Sequence, residues 1–217
     1  MTLKSGVRGL AAMSIVYASA CIPLTVGSTA QPVPVGTTVS TTSVYVVPSS
    51  FDDSVDHRSF PRYGVDPEFR FGFDEHSDIG VRLPSLSGIV ANYKRRLNGV
   101  SDAPGMATAM MVGGGVVNWG DHLHLEATLI TSASENDRFT PYGGIRVMQV
   151  IPISRGAVHD SPTLGGFLGT RIGSRRAGIS PELGVFYDHS ALRIRKGNVL
   201  FVPAITINGD FGRFALP

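Results

Sequence analysis

The sequence predicts a single all-β domain, an antiparallel up-and-down β-barrel of about ten strands, with eight strands as the nearest alternative. Apolar and polar residues alternate strictly through residues 67–83, and the same period of two recurs in shorter stretches along the chain. The 26 glycines and 14 prolines cut the chain into short segments, which suit strands and turns better than helices. The 217 residues show no composition shift that would divide them into two domains.

The first 35 residues predict export followed by a linker. Lys4 and Arg8 precede a short apolar run at 10–20 that ends in small residues, as in a secretory signal peptide. This run is about half of the roughly 20 residues that a helix needs to span a bilayer. We therefore predict a signal peptide at 1–20, a tether at 21–35 and a β-barrel domain at 36–217. The alternative is a buried N-terminal helix with an inert cysteine.

Cys21 is the only cysteine, so the chain cannot form an internal disulfide. It directly follows Ser19 and Ala20, and this stretch resembles the lipobox of bacterial lipoproteins, which ends in two small residues and the acylated cysteine. The resemblance implies lipidation at Cys21. Cleavage by the ordinary signal peptidase, after Ala20 or after Ala30, is the other interpretation.

The strands are predicted in order from local pattern. A β-branched run without a charge predicts the first strand. The strict alternation predicts a hairpin that turns at 75–77, and looser alternation predicts the remaining strands. The glycine triplet at 113–115 favours a strand over a helix in its segment, whereas Pro181 and Pro203 fall inside the last two segments, where proline cannot donate to the ladder. The predicted strands cover residues 37–47, 67–74, 78–83, 86–97, 105–117, 121–129, 140–151, 163–173, 179–188 and 198–208.

Alternation alone does not decide which face points inward. If the polar face is inside, a narrow lumen contains acids and bases that can pair, because an unpaired buried charge costs several kcal/mol. If it is outside, the chain is a soluble or lipid-anchored calycin-like barrel in the periplasm that binds an apolar ligand. The predicted lumen cluster is Glu68, Arg70, Asp74, Asp78, Arg82, Lys94, Arg96, His122, His124, Glu126, Arg146 and Arg171.

Three observations favour the polar lumen. Its basic residues are mostly Arg rather than Lys, and Arg pairs well with carboxylates in confined space. Aromatic residues lie on the apolar parity near strand ends, as an interfacial girdle requires: Phe69, Phe73, Tyr93, Tyr187 and Phe201. If the N-terminus is periplasmic, the long connections fall on the outer side, at 51–65, 152–162 and 189–197. Two short connections, at 75–77 and 174–177, fall on the periplasmic side. The connections at 84–86 and 118–120 are also on the outer side although they are short.

Through residues 62–64, 78–82 and 141–146, the chain resembles the small bacterial outer-membrane β-barrel superfamily, over roughly residues 36–210. The resemblance implies insertion in the outer membrane, contact with its lipids and a filled or narrow lumen. The resemblance implies no single activity. Our leading hypothesis is an envelope-structural or narrow-passage role without catalysis, and the sequence predicts no particular solute or oligomeric state.

Two groups of residues are candidates for chemistry. His122, His124 and Glu126 share one face of a strand and could bind a metal, although a paired polar cluster in the lumen is the preferred interpretation. His189 and Ser190 invite comparison with outer-membrane lipid hydrolases, but as neighbours in a strand they would point apart. We expect no cofactor.

The charge balance argues against nucleic acid as a partner. Removing Lys4 and Arg8 with the signal leaves 17 of the 19 basic residues, which equals the number of acidic residues. A balanced chain gives no electrostatic reason to bind nucleic acid. The expected partners are outer-membrane lipids and a small solute or an apolar ligand.

Overall fold

The computed structural model describes residues 22–48, 61–98, 105–134, 138–153, 162–174, 177–187 and 199–209. Within them lie ten antiparallel strands, β1 to β10 in chain order: Thr38–Val47, Arg62–Asp74, Ser77–Arg82, Ile89–Arg96, Ala107–Val117, His122–Ser132, Phe139–Pro152, Thr163–Gly173, Ala177–Tyr187 and Val199–Gly209. Each strand pairs with its neighbours in sequence, and β1 also pairs with β10, which closes the barrel. The predicted up-and-down barrel is confirmed with ten strands, not eight.

Side-chain parity sets the two faces of the sheet. In β2, Phe69, Phe71 and Phe73 are exposed on the outside, whereas Glu68 and Arg70 are buried inside. The same alternation of buried and exposed residues continues along β9 and β10. Because successive side chains of a strand point to opposite faces, one register fixes the polarity of a whole strand.

The barrel has two distinct ends. We call the end where β1 begins and β10 ends the lower end, and the opposite end the upper end. The lower end has the connections 75–76, 97–106, 133–138 and 174–176, and the upper end has 48–61, 83–88, 118–121, 153–162 and 188–198. The connections are therefore grouped in the way that the sequence analysis expects for ten strands.

The helical elements in the described ranges are two 3-10 turns, Pro84–Leu86 and Asn118–Gly120, both at the upper end. Trp119 has a left-handed backbone conformation, with φ of 58°, and its side chain is exposed beside the second turn. No helix among the described residues is long and apolar enough to cross a membrane.

The two prolines that the sequence places inside strands behave differently from each other. Pro203 pairs opposite Leu183 within an uninterrupted register between β9 and β10. At Pro181 the pairing of β8 with β9 passes from Gly169 and Glu182 directly to Ile172 and Ile179. The gap has a physical reason, because proline has no N–H to donate to the ladder.

Residues 22–33, most of the predicted tether, lie inside the barrel and are buried. The chain passes the lower mouth beside β2, where the amide of Gly36 donates to the carbonyl oxygen of Gly72 at 3.0 Å. A β-carbon on Gly72 would lie 2.1 Å from the carbonyl oxygen of Pro34, so only glycine permits this approach. From Thr38 the chain then returns upward as part of the wall.

Close strand contact at Gly144 in β7 provides a test of the fold. A β-carbon there would lie 1.9 Å from the carbonyl oxygen of Leu129, whereas one on Gly166 in β8 would lie 3.3 Å from its nearest neighbour. We expect Gly144→Ala to lower the free energy of unfolding by about 1–3 kcal/mol, as overpacking does. Gly166→Ala is the control and should change it by less, in denaturant titration of the refolded protein. Equal effects would contradict the packing described here.

Candidate functional site in the barrel lumen

The lumen contains a continuous stretch of the chain itself, residues 22–33, which we call the lumen segment. At the upper end the hydroxyl of Tyr45 donates to the carbonyl oxygen of Ile22 at 2.6 Å. At the lower end the amide of Val33 donates to Asp78 at 2.8 Å. The segment has no charged residue and includes Pro23 and Pro32, a composition that favours an extended chain.

Apolar side chains of the segment pack into two clusters on the barrel wall. Ile22 and Leu24 join an upper cluster, and Val26 and Ala30 join a lower one. The wall residues of the upper cluster are Tyr45, Val47, Met148, Val150, Phe186, Leu200, Val202 and Ala204, and those of the lower cluster are Ala107, Ala109, Met111, Ile130, Tyr142 and Phe167. The lumen is therefore not polar throughout, because the segment is covered by apolar side chains along part of its length.

Glu68 is the centre of the first ionic network. It accepts from Arg70 at 2.6 Å and from Arg82 at 2.8 Å. Arg70 also pairs with Asp78, which lies 3.2 Å from the ammonium of Lys94. All five side chains are almost completely buried. Pairing of this kind is what permits charges in a water-poor interior.

A second network lies on β6 and β7. Arg146 pairs with Glu126, which also lies 2.9 Å from the Nε2 atom of His124. The lumen segment joins this network to the first, because the carbonyl oxygen of Thr25 accepts from Arg82 at 2.7 Å and from Arg146 at 2.6 Å. Two arginines from opposite parts of the wall therefore meet on one peptide oxygen.

Other charged side chains hold the rest of the segment. The two carboxylate oxygens of Glu182 accept from the amides of Val26 at 2.9 Å and Gly27 at 2.8 Å. Lys94 donates to the carbonyl oxygens of Thr29 and Gln31 at 3.1 and 2.9 Å. These bonds to ionised groups are the stronger kind of protein hydrogen bond.

The structure brings together most of the residues of the predicted lumen cluster. Asp74 and His122 are half-buried at the ends of their strands. The buried members are Glu68, Arg70, Asp78, Arg82, Lys94, Arg96, His124, Glu126, Arg146 and Arg171. Arg96 donates to the side-chain oxygen of Gln31 at 2.7 Å, so it too contacts the lumen segment.

Sequence reasoning missed Asp66 and Glu182, which are also buried in the wall. Their parity could have identified them, because Asp66 continues the polar face of Glu68 and Arg70, and Glu182 alternates with the apolar Ile179 and Leu183. The lumen segment had no such signal, since its sequence has neither a period nor a charge.

The metal and hydrolase hypotheses have different outcomes. His122 approaches Asn118 at 3.4 Å, while His124 and Glu126 belong to the ionic network with Arg146. Among the described residues no group of three His, Cys, Asp or Glu side chains is placed to hold a metal ion. Residues 188–198, with His189 and Ser190, and Cys21 lie outside the described residues.

The outer face of the barrel is apolar. Its exposed side chains include Leu125, Leu129, Ile145, Leu168 and Leu183. Exposed aromatic residues mark both ends: Tyr63, Trp119, Tyr187 and Phe201 at the upper end, and Phe71, Phe73 and Phe139 at the lower end. A buried charged lumen inside an apolar band with two aromatic girdles is the organisation of an outer-membrane-type transmembrane β-barrel.

The calycin-like alternative is wrong for this chain, because it requires an apolar interior and a polar exterior. Arg82 and Arg146, with relative exposures of 1% and 0%, point inward, whereas Phe73 and Leu168, at 65% and 74%, point outward. A water-soluble barrel would have the opposite polarity.

Loss of the Glu68 charge tests the ionic network. Glu68→Gln leaves Arg70 and Arg82 buried without their shared carboxylate, so we expect the free energy of unfolding to fall by about 3–5 kcal/mol. Glu75→Gln, in the exposed turn of the same hairpin, is the control and should change it by about 0.5 kcal/mol or less. Denaturant titration of protein refolded into vesicles measures both; the network would be energetically unimportant if the two variants behaved alike.

No family model and no curated protein matches the chain. Among solved structures, the chain is similar to the outer membrane protein OprG from Pseudomonas aeruginosa, with 16% identity, a TM-score of 0.35, and coverage of 84% of this chain and 97% of that one. The chain is also similar to Neisserial surface protein A, with 15% identity, a TM-score of 0.36, and coverage of 80% of this chain and 96% of that one. A third similar structure is that of the attachment invasion locus protein Ail of Yersinia pestis, with 11% identity, a TM-score of 0.29, and coverage of 79% of this chain and 95% of that one.

Proposed function

We propose that this protein is a non-catalytic outer-membrane β-barrel with an envelope-structural role, and that its lumen is a narrow passage closed at rest by the lumen segment. The observation that carries the proposal is the polarity of the barrel, which combines a lipid-type exterior with a paired, filled interior. Arg82 and Arg146 reach across the lumen to the same carbonyl oxygen, that of Thr25. An open aqueous pore would need this crossing to be absent.

The absence of catalysis is part of the proposal. In the described lumen, the carboxylates of Glu68 and Glu126 are engaged by arginines. A carboxylate held in this way stabilises the barrel and is poorly available for proton transfer. The lipid-hydrolase hypothesis on His189 and Ser190 stays a prediction.

The location of an apolar residue on the outer face allows a direct test. Ile145 is exposed at the middle of β7, where lipid would surround it, and Leu97 is exposed just after β4. We expect Ile145→Arg to lower the free energy of unfolding in phospholipid vesicles by about 2–4 kcal/mol, and the control Leu97→Arg by about 0–1 kcal/mol.

Gel electrophoresis gives a second test. Wild-type protein extracted from washed membranes should migrate faster in a detergent gel when it is left unboiled than when it is boiled. Recovery in the soluble fraction, with equal behaviour of the two variants, would refute the proposal.

Export and lipidation are the second part of the proposal. The basic residues Lys4 and Arg8, the apolar run after them and the small residues before Cys21 support a lipoprotein signal. We expect cells fed radiolabelled palmitate to incorporate the label into the protein, and Cys21→Ser to abolish incorporation. Labelling that persists in Cys21→Ser, or a wild-type protein that stays unlabelled, would rule out acylation at this residue.

A further inference from the structure

The contacts between the barrel wall and the lumen segment end mostly on the main chain of the segment. The carbonyl oxygens of Ile22, Thr25, Val26, Thr29 and Gln31 accept from wall side chains. The amides of Val26, Gly27, Ala30 and Val33 donate to wall oxygens. Side chains of the segment contribute at Ser28, which contacts Lys94 at 2.9 Å, and at Gln31.

The hydroxyls of Thr25 and Thr29 reinforce this pattern. Both are buried, and neither has a hydrogen-bond partner in the described structure. The carbonyl oxygens of the same two residues are engaged by Arg82, Arg146 and Lys94. A wall fitted to the side chains of the segment would have paired these hydroxyls, because an unpaired buried polar group is costly. Among the described contacts, the wall therefore bonds mainly to the peptide groups of the segment.

The wall groups are held in position by contacts among themselves. Glu68 orients Arg82, Glu126 orients Arg146, and Asp78 lies beside Lys94. The hydroxyl of Tyr142 donates to Glu182 at 2.9 Å. Donors and acceptors that are fixed before binding lose little entropy when a ligand arrives, which favours tight binding.

One position of the segment is restricted in size. Gly27 has a left-handed backbone, with φ of +60°, and a β-carbon there would lie 2.3 Å from the hydroxyl oxygen of Thr206. Gly36 has a similar φ of +70°, but no described atom lies within 4 Å of the corresponding point. The two glycines share the backbone requirement, and only Gly27 also needs the space.

We propose that the lumen is a binding site for an extended, uncharged polypeptide strand that has glycine at one fixed point and is recognised through its main chain. The lumen segment fills this site in cis. When the segment is displaced, the passage opens and the same strand supplied in trans closes it. This inference rests on the proposed function and names the ligand class of the same lumen.

The first experiment displaces the segment in the full-length protein. Gly27→Val should raise the conductance of the barrel in planar lipid bilayers at least about tenfold, because the added side chain cannot fit against Thr206. Gly36→Val carries similar backbone strain without the collision and should stay close to wild type. Glu182→Gln weakens the hydrogen bonds to the amides of Val26 and Gly27, and it is the second opening variant if Gly27→Val does not fold. A folded opening variant that conducts no more than wild type would overturn the inference.

The second experiment supplies the strand in trans. A synthetic peptide of residues 22–33 should close the channel of Gly27→Val, in which the wall and Glu182 are unchanged. The same peptide with esters in place of the amide N–H groups of Val26 and Gly27 should need an at least about tenfold higher concentration, because it loses both hydrogen bonds to the Glu182 carboxylate. No closure, or equal closure by both peptides, would overturn backbone recognition.

Gel mobility separates the two proposals. If the opening variant keeps the faster unboiled band but the peptides have no effect, the proposal of a membrane barrel is kept and the proposal of a peptide-binding lumen is rejected. If wild-type protein lacks that band and is soluble, the proposed function fails first.

Discussion

A charge buried away from water is stable only beside an opposite charge or a strong hydrogen-bond partner, and the interior of this barrel depends on that constraint. Glu68 pairs with Arg82, and Glu126 pairs with Arg146. Both arginines have a further N–H group that finds no acceptor on the wall in the described contacts. The carbonyl oxygen of Thr25 is that acceptor. The lumen segment is therefore part of the ionic network and does more than occupy space.

The same constraint explains the polarity of the two faces. A barrel in water would place its charges outside and its phenylalanines inside. Here Phe73 and Ile145 face outward and Arg82 and Lys94 face inward, so the hydrophobic surface requires a lipid environment and the charged surface requires partners. Closure of β1 on β10 completes both requirements, because it leaves no unpaired strand edge toward the lipid.

The character of the lumen segment follows from its surroundings. An added charge in the segment would lie beside Glu68, Glu126 and the arginines that already pair with them, so an uncharged strand fits best. Its peptide groups supply donors and acceptors at regular intervals, which meet Glu182, Lys94 and the arginines. Its small apolar side chains, such as Val26 and Ala30, fill the space between those contacts. Main-chain recognition and apolar packing thus operate on the same strand.

Much of this architecture was determined by local sequence. The period of two in residues 67–83 determined which side chains share a face, because parity is a property of each strand alone. The arginine content, the aromatic positions and the connection lengths then favoured an inward position for the polar face with Glu68, Arg82 and Arg146. The glycine, proline and polar breaks predicted about ten strands and left eight as an alternative, and the structure has ten.

Only the tertiary structure decided which charges meet and what fills the space between them. Arg82 and Arg146 lie far apart in the sequence, and closure of the barrel brings both to Thr25. Residues 22–33 have no periodicity and no charge, so local pattern suggested a tether. Their position depends on donors and acceptors from several strands that come together only when β1 and β10 pair.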